Sequence, residues 1–382
     1  MYRSLLPFLA LAPATVYALL TLWCGRSFFK SRTVEAADRT ASAEPAITIL
    51  KPVKGMDEGS YDNFASFCSQ QYSGQIQLIF CVAHADDPVI PVIHKLIDDF
   101  PHHDISLQID ATIHGPNYKI SNLINSFDLA RHDLLMICDS DIRVPETFIR
   151  SVTAHFCNPT VGLVTSPYRS SQVHGPATAF EALAFSAEMI PNVVTAIRLE
   201  GLSFALGAAM TFRREALQQI GGLQALVEYL ADDYQLGNKI HRAGWQLVLD
   251  RQFVESMLKP EDFRSIFTRQ LRWSRTMRVS RPGGYLASGI TLPGMGVIAA
   301  LLLGPLPAAF TAITAFYLLR LYITTIFSRS YLADNLLPRW AWLLPLRDLL
   351  ACATWLGAFT GNSVIWRGHR FLIRADGKLK EL

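Results

Sequence analysis

The sequence predicts an α/β fold, a doubly wound Rossmann-like sheet domain lying between an apolar N-terminal helix and a C-terminal bundle of membrane helices. Three observations predict it. Short apolar runs alternate with helix-like stretches over residues 46–165, the pattern of strands joined by crossover helices. Several of these runs stop at loops carrying acids or glycine, where an open sheet binds its ligands. The remaining apolar residues gather toward the two ends of a 382-residue chain that is 50% hydrophobic and 18% charged, with positive mean hydropathy.

Residues 5–25 carry no charge and are long enough to span a bilayer. A cleaved leader would need a small-x-small site and a basic flank ahead of the apolar run. Here Arg26, Lys30 and Arg32 come after it and outnumber the lone Arg3, so 1–32 reads as an uncleaved anchor with the next domain cytoplasmic. Six cysteines without paired spacing read as reduced thiols and suggest neither a zinc site nor a disulfide frame. A net charge of +3 gives no reason to expect a nucleic-acid partner.

Residues 33–45, rich in Ala, Ser and Thr, read as a linker. A strand at 46–50 is closed by Lys51-Pro52-Val53-Lys54-Gly55, and a second at 76–82 runs into His84-Ala85-Asp86-Asp87-Pro88. Helices near 61–70 and 91–100 fall between and after them, and a third strand covers 105–109. The helix at 118–130 carries Lys119 near its start, where a charge and free N–H groups face an anion as readily as a surface lysine faces water. The central strand, 134–138, stops at Asp139-Ser140-Asp141. In extended backbone residues i and i+2 project to one side, so the two carboxylates suit one Mg2+ or Mn2+ shared with a polyphosphate; an ordinary turn uses the same residue types. A helix over 146–156 and a fifth strand at 161–165 complete a half domain whose loops bring together Lys54, Asp86, Asp87, Asp139 and Asp141.

Residues 177–217 are weakly charged, with Phe180, Leu183, Phe185, Met189 and Ile190 near helical spacing, as in a core helix or a groove for an apolar ligand. Asp232 and Asp233 stand at the start of a helix reaching about residue 243, where acids serve as caps or as chemistry. Residues 259–285 combine an apolar face (Phe263, Ile266, Phe267, Leu271) with six arginines, a basic amphipathic helix for an anionic membrane surface. The uncharged stretch 282–319 would be about 57 Å long as one helix and breaks naturally at Gly304-Pro305-Leu306-Pro307. Spans are expected near 286–303 and 308–327, and a further apolar run at 349–365 is just long enough to cross; three crossings would put the basic tail at 367–382 outside, which leaves one of the three open to being re-entrant or interfacial. The domain plan is thus anchor 1–32, cytoplasmic domain 33–258, interfacial segment 259–285, membrane helices 286–366 and tail 367–382.

The ordered set Lys51-Pro52-Val53-Lys54-Gly55, Asp86-Asp87-Pro88, Cys138-Asp139-Ser140-Asp141-Ile142-Arg143-Val144, Asp232-Asp233-Tyr234 and Arg269-Gln270-Leu271-Arg272-Trp273 resembles the ceramide glucosyltransferase family, including bacterial hopanoid-biosynthesis glycosyltransferases. The resemblance implies an A-type nucleotide-sugar glycosyltransferase domain and an inverting transfer from a UDP-sugar to a lipid hydroxyl of ceramide or a hopanoid. It implies an integral, multi-pass protein of a bacterial inner membrane with a cytoplasmic catalytic domain. Carried over by position, Asp87 or Asp86 would meet the uridine, with Lys54 and Lys119 near the nucleotide. Asp139 and Asp141 would hold the metal and diphosphate, and Asp233 would be the catalytic base. Arg269, Arg272 and Trp273 would close over the donor and acceptor. The animal enzymes carry glycine where this chain has Asp141, which favours the bacterial branch.

The chemistry has its own logic. Charge building on a leaving diphosphate needs a divalent ion and cationic donors, and the acceptor hydroxyl needs a carboxylate within reach. One acid on the acceptor side implies a single displacement and inversion. A processive polysaccharide synthase shares these motifs but needs more apolar spans for a channel. A binding protein with a degenerate transferase fold would not need the full acid set.

Overall fold

The computed structural model describes residues 2–30, 44–170, 172–366 and 368–382. The expected linker at 33–45 therefore falls almost wholly outside the described residues, as do Arg32 and Arg367. The chain divides into two units, one made of Arg32–Ser170 and Gly201–Lys259, the other of Met1–Ser31, Ser171–Glu200 and Pro260–Leu382. By sequence, 171–200 belongs within the domain 33–258. It groups instead with the apolar ends of the chain, and Phe180, Leu183, Phe185 and Ile190 are buried there, as helix faces without charge require.

The sheet unit is built on β1 (Ile47–Val53), β2 (Ile76–Val82), β3 (Asp104–Ile109), β4 (Leu134–Cys138), β5 (Ile142–Arg143), β6 (Val161–Thr165), β7 (Tyr168–Arg169), β8 (Ala209–Arg213), β9 (Gln246–Leu249) and β10 (Val254–Ser256). Seven of these form one sheet in the order β3-β2-β1-β4-β8-β6-β9, and β5-β10-β7 form a small second one. Side chains alternate across the main sheet as period two demands. Ile47, Ile49, Met136 and Cys138 enter a core with Phe64 and Phe80, while Leu50, Leu135 and Ile137 enter another with Leu123 and Ile240. Burial on both faces explains why β1 and β4 read as continuous apolar runs.

The parallel sheet implied by the alternating elements holds for β1 to β4 but not throughout. β8 runs antiparallel to both β4 and β6, with Thr211 opposite Met136 on one side and Val164 on the other. The chain reaches β8 after 171–200, a stretch of the other unit, so the crossover rule that fixes a parallel return does not govern it. β1 also runs three residues past the expected end. Beyond Leu50 it pairs with β2 alone, and such a one-sided ladder accommodates Pro52.

In the helical unit, Tyr2–Lys30, Pro176–Glu200 and Leu306–Leu332 are each long and apolar enough to cross a membrane. Pro282–Thr291 and Pro293–Leu303 form a pair bent by 47°, so the span expected at 286–303 is a broken one. The bend falls at Leu292-Pro293, where proline removes an N–H and pushes the preceding residue out of helical backbone. The run at 349–365 is the one of the three that does not form a span: the Leu344–Gly357 helix is 14 residues long, short of the roughly 20 a bilayer requires. Beyond that helix, β11 (Ser363–Trp366), β12 (His369–Ile373) and β13 (Leu379–Glu381) make an antiparallel sheet in place of the expected basic tail. Val364, Phe371, Ile373 and Leu379 form its buried face.

Candidate active site

β4 delivers the chain to Asp139, and there it turns. Asp139, Ser140 and Asp141 are a turn, not the extended backbone assumed from alternation. Met257 N donates to the Asp141 carbonyl at 2.9 Å, and Ser256 Oγ donates to Asp141 Oδ2 at 3.3 Å, so the turn is anchored by the end of β10. The Asp141 carboxyl is pushed up to about 7, by burial first, then by the charges of Asp139 and Asp57. Asp57 accepts from Ser140 Oγ and is paired with Lys259 Nζ at 3.3 Å.

This excess of carboxylate charge is what a hard divalent cation suits. Among the described residues, no group of three or more His, Cys, Asp or Glu side chains is set to hold a metal alone. Asp139 and Asp141 offer two carboxylates, so an ion held by them would need its remaining ligands from a bound molecule.

Two lysines face Asp139 from opposite origins. Lys51 is fully buried in β1, and its Nζ donates to the Asp139 carbonyl at 2.9 Å over the Phe67 ring at 4.3 Å. A buried ammonium needs partners, and this one finds them in the turn that carries the acids. Lys119 Nζ lies 2.7 Å from Asp139 Oδ1 and 3.5 Å from Asp232 Oδ2. Burial works against the Lys119 charge, but Asp139, Asp232 and Asp233 outweigh it and hold its pKa above the ordinary lysine value. Asn117 fixes both ends of this bridge. Its side chain caps the Tyr118–Phe127 helix by accepting from Ile120 N at 3.1 Å, and its Nδ2 donates to Asp232 Oδ1 at 3.3 Å and to the Tyr229 carbonyl at 2.8 Å.

Asp233 sits in the first turn of the Asp232–Arg242 helix and accepts from Tyr234 N at 2.7 Å. Its carboxyl is pushed up to about 6, by burial first and then by Asp232, against the Tyr234 N–H and Lys119. Gly207 is its close neighbour: a Cβ there would stand 2.9 Å from Asp233 Oδ2, so glycine keeps the carboxylate in place.

The structure thus gathers Lys119, Asp139, Asp141 and Asp233 into one electrostatically linked group. Asp87 anchors backbone. Its carboxylate accepts from Gly55 N at 2.9 and 3.1 Å and from Val89 N at 3.0 Å, tying the loop after β1 to the loop after β2. Gly55 holds φ at 73°, which a side chain would strain. Asp86 and Lys54 are exposed beside these anchors.

Arg269, Arg272 and Trp273 lie on the Phe263–Ser280 helix of the helical unit, and Asp262 caps that helix by accepting from Ser265 N at 2.8 Å. Arg269 is committed there. Nε donates to Glu181 Oε1 at 2.9 Å, Nη2 to Glu181 Oε2 and Nη1 to Glu261 Oε2 at 2.6 Å. Trp273 is 39% exposed.

Lys51, Asp57, Asn117 and Lys259 are the site residues that sequence reasoning missed, while Asp232 stood out only as the neighbour of Asp233 at a helix start. Lys51 had a signal, since a lysine inside an apolar strand is rarely idle. Asp57 and Lys259 had none, because neither borders a strand end.

The model described as glycosyl transferase family 21 matches residues 6–379. Ceramide glucosyltransferase 3 of Caenorhabditis elegans is 26% identical over 61% of this chain and 50% of its own length; ceramide glucosyltransferase 1 of the same worm is 26% identical over 60% and 49%. The chain thus spans about half the length of these two relatives. The ceramide glucosyltransferase of Pyricularia oryzae is 21% identical over 90% of the chain and 87% of its length. Among solved structures, a mannosyltransferase from Pyrobaculum calidifontis in complex with GDP-Man and Mn2+ is 14% identical over 90% of this chain and 98% of that one, with a TM-score of 0.48.

Proposed function

The chain belongs to glycosyl transferase family 21, and on that premise we propose that it is a membrane-bound, metal-dependent enzyme moving a hexose from a UDP-sugar to a lipid hydroxyl with inversion. The observation that carries this reading is the linked group of Asp139, Asp141, Asp233 and Lys119, which joins the turn after β4 to the start of the Asp232–Arg242 helix. Glucose from UDP-glucose and ceramide are the favoured donor and acceptor, because the relatives compared above bear the name ceramide glucosyltransferase. The second pairing is a hopanoid with glucose or N-acetylglucosamine, suggested by Asp141 standing where the animal enzymes carry glycine.

Asp139 and Asp141 would hold Mg2+ or Mn2+, which supplies electrostatic stabilisation of the charge that builds on the leaving diphosphate. Lys51 and Lys119 hold the acid-bearing turn and keep its charge partly balanced while a dianionic ligand arrives. Asp233 takes the proton from the acceptor hydroxyl: its carboxyl, raised to about 6, is ionised at neutral pH yet a stronger base than an exposed aspartate. One displacement at the anomeric carbon converts an α-linked donor into a β-linked product. Among the described residues, Tyr2–Lys30 and Leu306–Leu332 support a protein that crosses the membrane more than once, with the sheet unit at the cytoplasmic face as the basic residues after the first span suggest; Pro176–Glu200 leaves and re-enters that same sheet unit and so does not count as a crossing.

The test is UDP release by the full chain in lipid nanodiscs, offered UDP-glucose or UDP-N-acetylglucosamine with ceramide or a hopanoid. EDTA should stop the reaction and Mg2+ or Mn2+ restore it. Asp233→Asn should abolish transfer while binding of the UDP-sugar survives, and normal turnover in that variant would exclude the assignment.

A further inference from the structure

Three arginines of the helical unit meet an anion in one way. Arg269, Arg320 and Arg347 each turn the edge made by Nε and Nη2 to the two oxygens of a single carboxylate, those of Glu181, Asp348 and Glu188. Arg275 and Arg278 turn the same edge to one neutral side-chain oxygen each. Arg275 Nη2 donates to Thr360 Oγ1 at 3.3 Å and its Nη1 to the Ser363 carbonyl, while Arg278 Nη2 donates to Asn362 Oδ1. In both, the Nε–H is buried without a hydrogen-bond partner. Among the described residues neither guanidinium is ion-paired with a carboxylate, whereas Arg281, just past the same helix, has Glu200. The two cations feel each other: Arg275 is held below the ordinary arginine value by burial and then by the charge of Arg278.

We infer that Arg275 and Arg278, with Thr360 and Asn362, form a binding site for a phosphate monoester carried on a lipid head group. What each edge lacks is a second oxygen that bears charge. A phosphate monoester brings three such oxygens, each able to accept more than one hydrogen bond, so one group serves both Nε–H and both Nη2–H donors and offsets two guanidiniums. The approach is open. Thr360 is exposed, and a Cβ built on Gly361 would meet nothing within 4 Å, so the stretch that carries the two neutral oxygens leaves room for a ligand to replace them. The surroundings select a lipid over the free ion. Arg278 lies over the Phe359 ring at 5.5 Å, and Phe359 packs with Tyr285 and Trp355, ring centroids 5.8 and 5.0 Å away. Tyr and Trp gather at the level of lipid head groups. The site uses no residue placed in the transfer chemistry, so it stands or falls apart from that reading.

The experiment uses the full chain in a neutral detergent with two fluorescent probes of identical tails, a phosphatidate and a diacylglycerol. The wild type should bind the phosphatidate about tenfold more tightly, and changing Arg275→Gln and Arg278→Gln together should remove that preference. Both arginines also hold the 360–363 stretch, so another variant separates binding from folding. Asn362→Asp sets a carboxylate against the edge that Arg278 already presents; it should weaken the phosphatidate about tenfold while the unfolding temperature stays at or above that of the wild type. Equal binding of the two lipids by the wild type, or an undiminished preference in Asn362→Asp, overturns the site. Displacement of the phosphatidate by UDP overturns it as well, by assigning the phosphate to the donor pocket. Inorganic phosphate identifies the source. No displacement at about a hundredfold excess supports the lipid, and displacement at concentrations equal to the probe overturns the lipid assignment in favour of the free ion.

Discussion

Lys119 Nζ stands 2.7 Å from Asp139 Oδ1 and 3.5 Å from Asp232 Oδ2, so one ammonium joins the turn after β4 to the first residue of the Asp232–Arg242 helix. Removing it leaves neighbouring acids without a counter-charge. Lys119→Met should lower stability by about 2 kcal/mol, less than a fully buried pair because Asp139 is 39% exposed. Thermal unfolding with and without Mn2+ checks this. The loss should shrink when the dication is added.

The Asp233 carboxyl, raised to about 6, sets a pH limb. A base works only when ionised, so kcat should fall about tenfold per unit below pH 6 and level off above it. Lys119 holds that value down, so Lys119→Met should move the limb to higher pH. A limb that stays in place in the variant would remove Asp233 from the role of base.

Asp87 and Asp86 separate by what they bind. Asp87 receives N–H groups from Gly55 and Val89, so Asp87→Ala should cost about 1–3 kcal/mol and expose the 54–57 loop to protease. Asp86→Ala should leave unfolding unchanged and raise KM for the UDP-sugar. Limited proteolysis and donor kinetics on the two variants distinguish a loop anchor from a ligand contact.

Arg269 and Arg272 should part in the same way. Arg269 is held by Glu181 and Glu261, so Arg269→Ala should reduce the thermal stability of the helical unit. Arg272→Ala should cut transfer at least about a hundredfold with little change in unfolding. Thermal scans beside UDP release measure both.

Where one physical signal dominates, the sequence is legible. The runs at 76–82, 134–138 and 161–165 become strands because each is apolar on both faces, and Asp139, Asp141, Asp233 and Lys119 stand out because strand ends and helix starts expose them. The antiparallel β8 is hidden, since a strand's direction depends on where the chain comes from and not on its composition. β11 is hidden inside an apolar run that length alone favours as a span; Gly361, Asn362 and the alternation Ser363, Val364, Ile365, Trp366 are the local signs against it. A loop is the natural home of a functional lysine, which favours Lys54 by sequence, yet it is Lys51 that touches the acid-bearing turn.

The division of the chain has a practical corollary. The polypeptide changes units at 31/32, 170/171, 200/201 and 259/260, so the two are interleaved in sequence rather than placed end to end. Trimming the termini to obtain a water-soluble catalytic fragment of 33–258 would strip the Pro176–Glu200 helix of the partners that cover Phe180, Leu183 and Phe185. That fragment would present an oily ribbon and clump, whereas replacing 171–200 by a short polar bridge removes the cause.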